Sequence, residues 1–164
     1  MKIFGVTGWK NTGKTGLMER LVSEFSARGL SVSTVKHAHH DTDIDQPGRD
    51  SHRHREAGAR EVMLASPHRW ALMHELRAAP EPTLAELLER LTPVDLVLIE
   101  GYKRDSHPKI ETHRAASARP LRAGADPTIR AVASDSAHPE LDLAVFGLDD
   151  TGAIADFIAG ELGL

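Results

Sequence analysis

Eight residues near the amino terminus have the types and spacing of a phosphate-binding loop. Residues 8–15 read GWKNTGKT and match the pattern G-x-x-x-x-G-K-[ST] at every defined position. Gly8 and Gly13 permit backbone conformations that a Cβ atom opposes, and they let amide groups approach a phosphate closely. Lys14 would contact the terminal phosphates, and Thr15 would offer its hydroxyl to Mg²⁺. The predicted nucleotide-binding residues of this segment are Gly8, Lys10, Asn11, Thr12, Gly13, Lys14, Thr15 and Gly16.

A carboxylate at the end of another apolar run could complete a magnesium site. Residues 94–99 are almost continuously apolar, which is typical of a strand covered on both faces, and Glu100 follows them. Ligands of open α/β sheets gather at the carboxyl ends of the strands. Glu100 could therefore hold Mg²⁺ through water or orient an attacking water. The competing interpretation is an ordinary strand-end carboxylate, and the presence of the loop at residues 8–15 favours the metal role.

A polar segment at residues 37–48 contains three aspartates and is predicted to be a loop that opens near the nucleotide. Asp41 would face Mg²⁺ or its waters, which makes Asp41 and Glu100 the catalytic candidates. The alternative is a transition-metal site built from His37, His39 and His40, although no i, i+4 histidine pair and no thiol supports it. A solvated loop is a third interpretation of each of these residues.

Two arginines one helical turn apart, Arg49 and Arg53, could reach a phosphate or a second substrate. The planar guanidinium matches phosphate geometry better than an ammonium group does. A solvated helix face balanced by Asp50 and Glu56 explains the same residues equally well.

The elements that must position these groups alternate between strand and helix. Strands are predicted at residues 2–7, 31–36, 94–99, 129–133 and 143–146, and a strand pair at 62–65 and 70–73. Helices are predicted from residue 14 to about 28, at 49–59, after a capping box at 83–86, and after Asp150 or Thr151. The expected fold is a three-layer, P-loop NTPase-like α/β domain spanning residues 1–164. It has a mostly parallel sheet, flanking helices and an extra antiparallel strand pair.

Composition excludes several classes of protein. The chain has 164 residues and no cysteine, which excludes disulfide scaffolds, iron–sulfur clusters and thiolate zinc sites. No apolar run is long enough for a membrane-spanning helix, so a cytoplasmic protein is expected. Basic residues are interleaved with acidic ones and aromatic residues make up 4%, which argues against nucleic-acid binding.

Several blocks of the chain together resemble the MobB family of molybdopterin-guanine dinucleotide biosynthesis adaptor proteins. They are GWKNTGKT, VKHAHHDTDIDQPGRDS followed by HREAGA, DLVLIEGYK with a later HPKIE, and AVASD ending at residue 135. The resemblance implies a GTP-binding adaptor that acts beside the guanylyltransferase joining GMP to molybdopterin. It also implies a homodimer with at most slow GTP hydrolysis. By position, Gly13, Lys14 and Thr15 would bind phosphates and Mg²⁺, and Asp41 and Glu100 would complete the metal environment.

GTPases commonly recognise guanine with an Asn-Lys-x-Asp motif, and no such tetrapeptide is present in this chain. Another residue is therefore expected to recognise the base. Asp135 could accept hydrogen bonds from the ring N–H and amino groups of guanine. Lys103 and Lys109 are expected at the mouth of the site, where Lys103 joins the two arginines as a contact for a second substrate, molybdopterin included. Residues 62–65 and 70–73 are the candidate dimer contact, and membership of the sheet alone is the alternative.

Two other functions fit the same loop. A small-molecule kinase or efficient NTPase would use Glu100 or Asp41 as its base. A histidine-rich metallochaperone of the P-loop class would bind Zn²⁺ or Ni²⁺ through His37, His39 and His40.

Overall fold

The computed structural model describes residues 1–38 and 44–164 and separates the chain into two units. The larger unit contains Met1–His37 and Leu88–Leu164, and the smaller contains Ala38–Leu87. The strands are β1 Lys2–Gly8, β2 Val32–Lys36, β3 Glu61–Ala65, β4 Trp70–His74, β5 Leu96–Glu100, β6 Lys109–His113, β7 Ile129–Ser134 and β8 Ala144–Gly147. The helices are α1 Lys14–Ala27, α2 Asp50–Glu56, α3 Leu84–Leu88 and α4 Thr151–Leu162, and a short 3-10 helix spans Ala115–Ser117.

Six strands of the larger unit form one sheet in the order β2-β5-β1-β6-β7-β8. All five pairings between neighbouring strands are parallel. The carboxyl ends of the strands therefore meet at one edge, where the chain leaves β1 at Gly8, β5 at Glu100 and β7 at Ser134. The predicted mostly parallel sheet, with helices beside it and a separate strand pair, is confirmed.

The main core of the larger unit joins two helices to the centre of the sheet. Leu17, Leu21 and Phe25 of α1 and Ile154 and Ile158 of α4 are fully buried and share one apolar cluster with β1, β5, β6 and β7. Full burial of side chains of this size stabilises the fold by about 1.5–3 kcal/mol each. This packing fixes the first turn of α1 against the end of β1.

The predicted starts of two helices, α3 and α4, are confirmed by hydrogen bonds at their amino-terminal caps. The Asp150 side chain accepts a hydrogen bond from Ala153 N, so α4 begins at Thr151. At α3, Thr83 N donates to Glu86 Oε2 over 2.8 Å and Glu86 N donates to Thr83 Oγ1 over 3.3 Å, which is the reciprocal capping box expected from the sequence.

The central strand β6 was not predicted from the sequence. Its residues KIETH include one apolar side chain, yet all five are buried. Glu111 accepts hydrogen bonds from Arg122 N and Ala123 N, both at 2.9 Å, while burial raises its pKa. A strand so polar can lie inside the sheet because distant segments satisfy its polar groups.

The prediction that Lys109 lines the mouth of the site is wrong. It stands at the amino end of β6, away from the edge where the other strands deliver their last residues. Its side chain is fully buried, and its ammonium donates to Asp105 O, His107 O and Thr128 Oγ1. Burial lowers the pKa of Lys109.

In the smaller unit, β3 and β4 form the predicted antiparallel pair. Met63 lies opposite Leu72 and Ala65 opposite Trp70, so these four side chains share one face of the hairpin. Met63 is 62% exposed and Trp70 is 67% exposed, so the other described residues of the unit leave these apolar side chains uncovered. Among the helices that the structure describes, none has the length and apolar character to cross a membrane.

Candidate nucleotide-binding site

The segment at residues 8–15, here called the glycine loop, connects β1 to α1 at the carboxyl edge of the sheet. Its backbone has positive φ angles at Gly8 (+142°), Asn11 (+64°) and Gly13 (+99°). Gly13 precedes the first turn of α1, and its carbonyl accepts a hydrogen bond from Leu17 N over 3.0 Å. The unpaired amides of this helix start therefore stand directly after the loop, where they favour an anion.

The glycine loop is anchored to the polar strand β6. The Thr12 side chain is fully buried; its hydroxyl donates to Trp9 O over 2.8 Å and lies 2.8 Å from Thr112 Oγ1. Thr112 in turn donates to Thr7 O over 3.1 Å. The side chain of Thr12 thus fixes the loop, and any contact between Thr12 and a ligand is left to its backbone.

Lys14 is held over the loop by a hydrogen bond from Nζ to Trp9 O, 2.6 Å long. Burial lowers the pKa of Lys14, the charge of Glu100 raises it, and Lys103 and Lys36 lower it further. Lys14 thus experiences the charges of Glu100, Lys36 and Lys103 together.

Glu100 ends β5 in parallel register with Val6 of β1, at the same sheet edge as the glycine loop. Its side chain is 12% exposed, and one carboxylate oxygen lies 3.3 Å from Lys36 Nζ at the end of β2. Thr15 is exposed in the first turn of α1. A hydroxyl and a carboxylate are the hard oxygen ligands that Mg²⁺ prefers, so this donor set fits the ion. Asp41, the third predicted ligand, lies outside the described residues.

Three of the cavities formed by residues 1–38 and 44–164 open along this edge, and Arg114 lines each of these three. The smallest, about 350 Å³, is also lined by Asn11, Gly13, Lys14, Thr15 and Gly16, which brings five of the predicted residues together. The second, about 400 Å³, includes Trp9 and Lys10. The largest, about 750 Å³, lies at the ends of β7 and β8 and includes Asp135.

Arg114 lines the candidate site but was not predicted from the sequence, because it directly follows the unpredicted strand β6. Two of its guanidinium nitrogens lie 3.7 Å from the position that a Cβ atom on Gly13 would occupy. A third lies 3.7 Å from Asp135 Oδ2. The other carboxylate oxygen of Asp135 accepts a hydrogen bond from Ala115 N over 2.8 Å. Arg114 thus connects the glycine loop to the predicted guanine-binding residue.

The predicted contacts for a second substrate, Arg49, Arg53 and Lys103, are divided between the two units. Arg49 and Arg53 belong to the smaller unit, where Arg49 Nε donates to Gln46 Oε1 and Arg53 lies 4.0 Å from Asp50. Lys103 is in the larger unit, with its ammonium 5.5 Å from the centre of the Trp9 ring.

The histidine segment gives no support to a transition-metal site in the part of the chain that is described. His37 stacks on Tyr102 with ring centres 4.6 Å apart. His39 and His40 lie outside the described residues. Across residues 1–38 and 44–164, no group of three histidine, aspartate or glutamate side chains is arranged to hold a metal ion.

Comparison with known proteins assigns the family. Residues 3–135 match the MobB family model, described as molybdopterin guanine dinucleotide synthesis protein B. The chain is 41% identical to a molybdopterin-guanine dinucleotide biosynthesis adapter protein of Haemophilus influenzae, over 98% of this chain and 89% of that relative. It is 39% identical to the adapter protein of Escherichia coli, over 95% and 90%. A crystal structure of a MobB protein homolog from Bacillus stearothermophilus superposes with a TM-score of 0.72 at 27% identity, covering 99% of each chain. The chain therefore belongs to the MobB family.

Proposed function

We propose that this protein is a GTP-binding adaptor in molybdopterin guanine dinucleotide biosynthesis and that it assists a molybdopterin guanylyltransferase. The observation that carries the GTP proposal is the glycine loop itself, whose positive-φ backbone and half-buried Lys14 stand at the start of α1. The names of relatives 41% and 39% identical support the adaptor role.

The triphosphate would occupy the 350 Å³ cavity, with its charge facing Lys14 and the first turn of α1. Mg²⁺ would be held by Thr15 and by Glu100, directly or through water, and would neutralise phosphate charge. The Glu100 carboxylate also lies 3.3 Å from Lys36 Nζ, so Lys36 adds a second positive charge at this end of the sheet. The proposal includes at most slow GTP hydrolysis, and steady-state turnover above ~1 s⁻¹ would instead favour a dedicated enzyme.

The guanine ring would lie in the 750 Å³ cavity, where Asp135 follows β7. The Asp135 carboxylate can accept from the ring N–H and the amino group of guanine, and adenine offers no such pair of donors on that edge. Replacing Asp135 with asparagine should therefore reduce the preference for GTP over ATP about tenfold, as one lost discriminating pair costs about 1–3 kcal/mol.

The measurement is calorimetric titration of the purified protein with GTP, GDP and ATP, with and without Mg²⁺. Asp142→Asn is the matched control, because Asp142 is an exposed aspartate away from the cavity lining. If wild-type protein bound ATP as tightly as GTP, the guanine assignment would be lost. If it bound neither nucleotide, the proposal as a whole would fail.

We also propose that the protein forms a homodimer through the hairpin of β3 and β4. Met63, Trp70 and Leu72 are exposed apolar side chains on one face of this hairpin. An isolated two-stranded sheet of this kind is marginally stable without further packing. A second copy would cover that face with the same residues, as twofold symmetry requires.

Met63→Glu should convert the dimer to a monomer, because it places a charge at the centre of the buried face. Leu64→Glu is the matched control: Leu64 is 58% exposed, close to the 62% of Met63, but it points to the opposite face of the strand. Sedimentation equilibrium of both variants gives the answer. Loss of the dimer in both, or in neither, would contradict the assigned face.

A further inference from the structure

We propose that the 400 Å³ cavity beside the glycine loop, here called the Trp9 pocket, binds a planar heterocycle that carries an anionic group. It is lined by Trp9, Lys10, Asn11, Arg114, Ala116, Ser117 and Arg119. A phosphorylated pterin belongs to this chemical class. The assignment of the ligand as the acceptor of the guanylyl group rests on the function proposed above.

The aromatic wall of the Trp9 pocket is held in a fixed orientation. Trp9 Nε1 donates a hydrogen bond of 2.8 Å to Pro120 O, which lies 111 positions away in the sequence. The Arg119 guanidinium carbon is 5.4 Å from the centre of the indole ring, and Lys103 Nζ is 5.5 Å from it. Because the hydrogen bond to Pro120 O restrains the indole, Trp9 loses little conformational entropy when a ligand binds beside it.

The charge of the Trp9 pocket favours an anion. Lys10, Arg114 and Arg119 line it, and none of the aspartates and glutamates that the structure describes does. Arg114 pairs with Asp135, whereas within residues 1–38 and 44–164 no carboxylate pairs with Lys10 or Arg119. Among the described residues, Lys10 and Arg119 thus have no carboxylate partner and can attract the negative group of the ligand, while Trp9 provides an aromatic wall for its ring.

The position of the Trp9 pocket connects it to the nucleotide. Asn11 and Arg114 line both the Trp9 pocket and the 350 Å³ cavity at Lys14. A volume of about 400 Å³ is also within the usual range for small-molecule sites. An anionic group in this pocket would therefore lie next to the phosphates of GTP. The same protein could then hold both reactants of a guanylyl transfer side by side.

The test uses the full-length protein saturated with Mg²⁺ and a non-hydrolysable GTP analogue, so that the glycine loop is occupied. The probe is 6-carboxypterin, a fluorescent planar anion, and binding is measured by its fluorescence anisotropy and by calorimetry. Pterin without the carboxylate measures what the anionic group contributes to binding, and inorganic phosphate, which has no ring, measures what the ring contributes. GMP as a competitor tests whether the natural ligand is a second nucleotide.

We expect 6-carboxypterin to bind at least about tenfold more tightly than uncharged pterin or inorganic phosphate, since each lacks one of the two interactions. Arg119→Ala should weaken its binding about tenfold. Arg119→Lys, which keeps the charge and loses the plane, should have an intermediate effect. Arg104→Ala is the matched control at an exposed arginine outside the pocket. Displacement by GMP at equal concentration would assign the pocket to a second nucleotide, and its absence would assign it to the pterin class.

Absence of an anisotropy change would overturn the proposal, as would equal affinity of wild type and Arg119→Ala or equal binding of charged and uncharged pterin. A parallel titration without nucleotide separates this proposal from the preceding one. Failure of GTP binding removes the adaptor function, while binding of the probe reports on the Trp9 pocket alone.

Discussion

Replacing Lys14 with alanine should weaken the binding of Mg·GTP at least tenfold. The Lys14 ammonium is one of the charges that faces the cavity of the glycine loop, and a charge-assisted hydrogen bond contributes about 1.5–3 kcal/mol. Burial lowers the pKa of Lys14, which means that its charge is incompletely compensated by the protein. A bound triphosphate supplies the missing negative charge. Replacing Lys14 with alanine should therefore destabilise the nucleotide complex more than the free protein.

Calorimetric titration with Mg·GTP measures this effect. Lys2→Ala is the matched control, because Lys2 is an exposed lysine at the opposite end of β1. Urea denaturation of the Lys14→Ala variant distinguishes a loss of binding from a loss of folding, since the hydrogen bond from Lys14 to Trp9 O is removed as well. Unchanged affinity in a folded variant would reject the role of Lys14.

Gly8→Ala should destabilise the larger unit by roughly 2–4 kcal/mol. A Cβ atom at Gly8 would lie 2.5 Å from Thr112 O and Thr112 Oγ1 and 2.8 Å from Thr12 Oγ1. The φ angle of +142° adds backbone strain to this overlap. Because Thr112 and Thr12 are the residues that anchor the loop to β6, relief of the overlap requires the loop to move, and nucleotide binding should fall with stability.

Gly160→Ala is the control for Gly8→Ala, because it adds the same methyl group at a glycine without steric overlap. Gly160 lies within α4 and a Cβ atom there meets no heavy atom within 4 Å, so alanine should raise the unfolding free energy by up to about 1 kcal/mol. Denaturant titrations of the two variants should therefore move in opposite directions. A Gly8→Ala protein with the wild-type midpoint would show that β6 does not constrain the loop.

Much of the larger unit follows from local patterns in the chain. The helical spacing of Leu17, Leu21 and Phe25 predicts α1, and the apolar run before Glu100 predicts β5; both elements are observed close to the expected bounds. The strand β6 could not be found in this way, because Lys109, Glu111 and Thr112 are polar and their partners lie up to 105 positions away.

The sequence by itself determined the glycine loop, its place between a strand and a helix, and the family to which the chain belongs. These properties depend on residue types at short, fixed spacings along the chain, and those spacings do not depend on how distant segments pack. The tertiary structure decided that Arg114 lies between Gly13 and Asp135, and that Trp9 is flanked by Lys103 and Arg119. Such arrangements form only when parallel strands from distant parts of the chain bring their carboxyl ends to one edge, so no local pattern could reveal them.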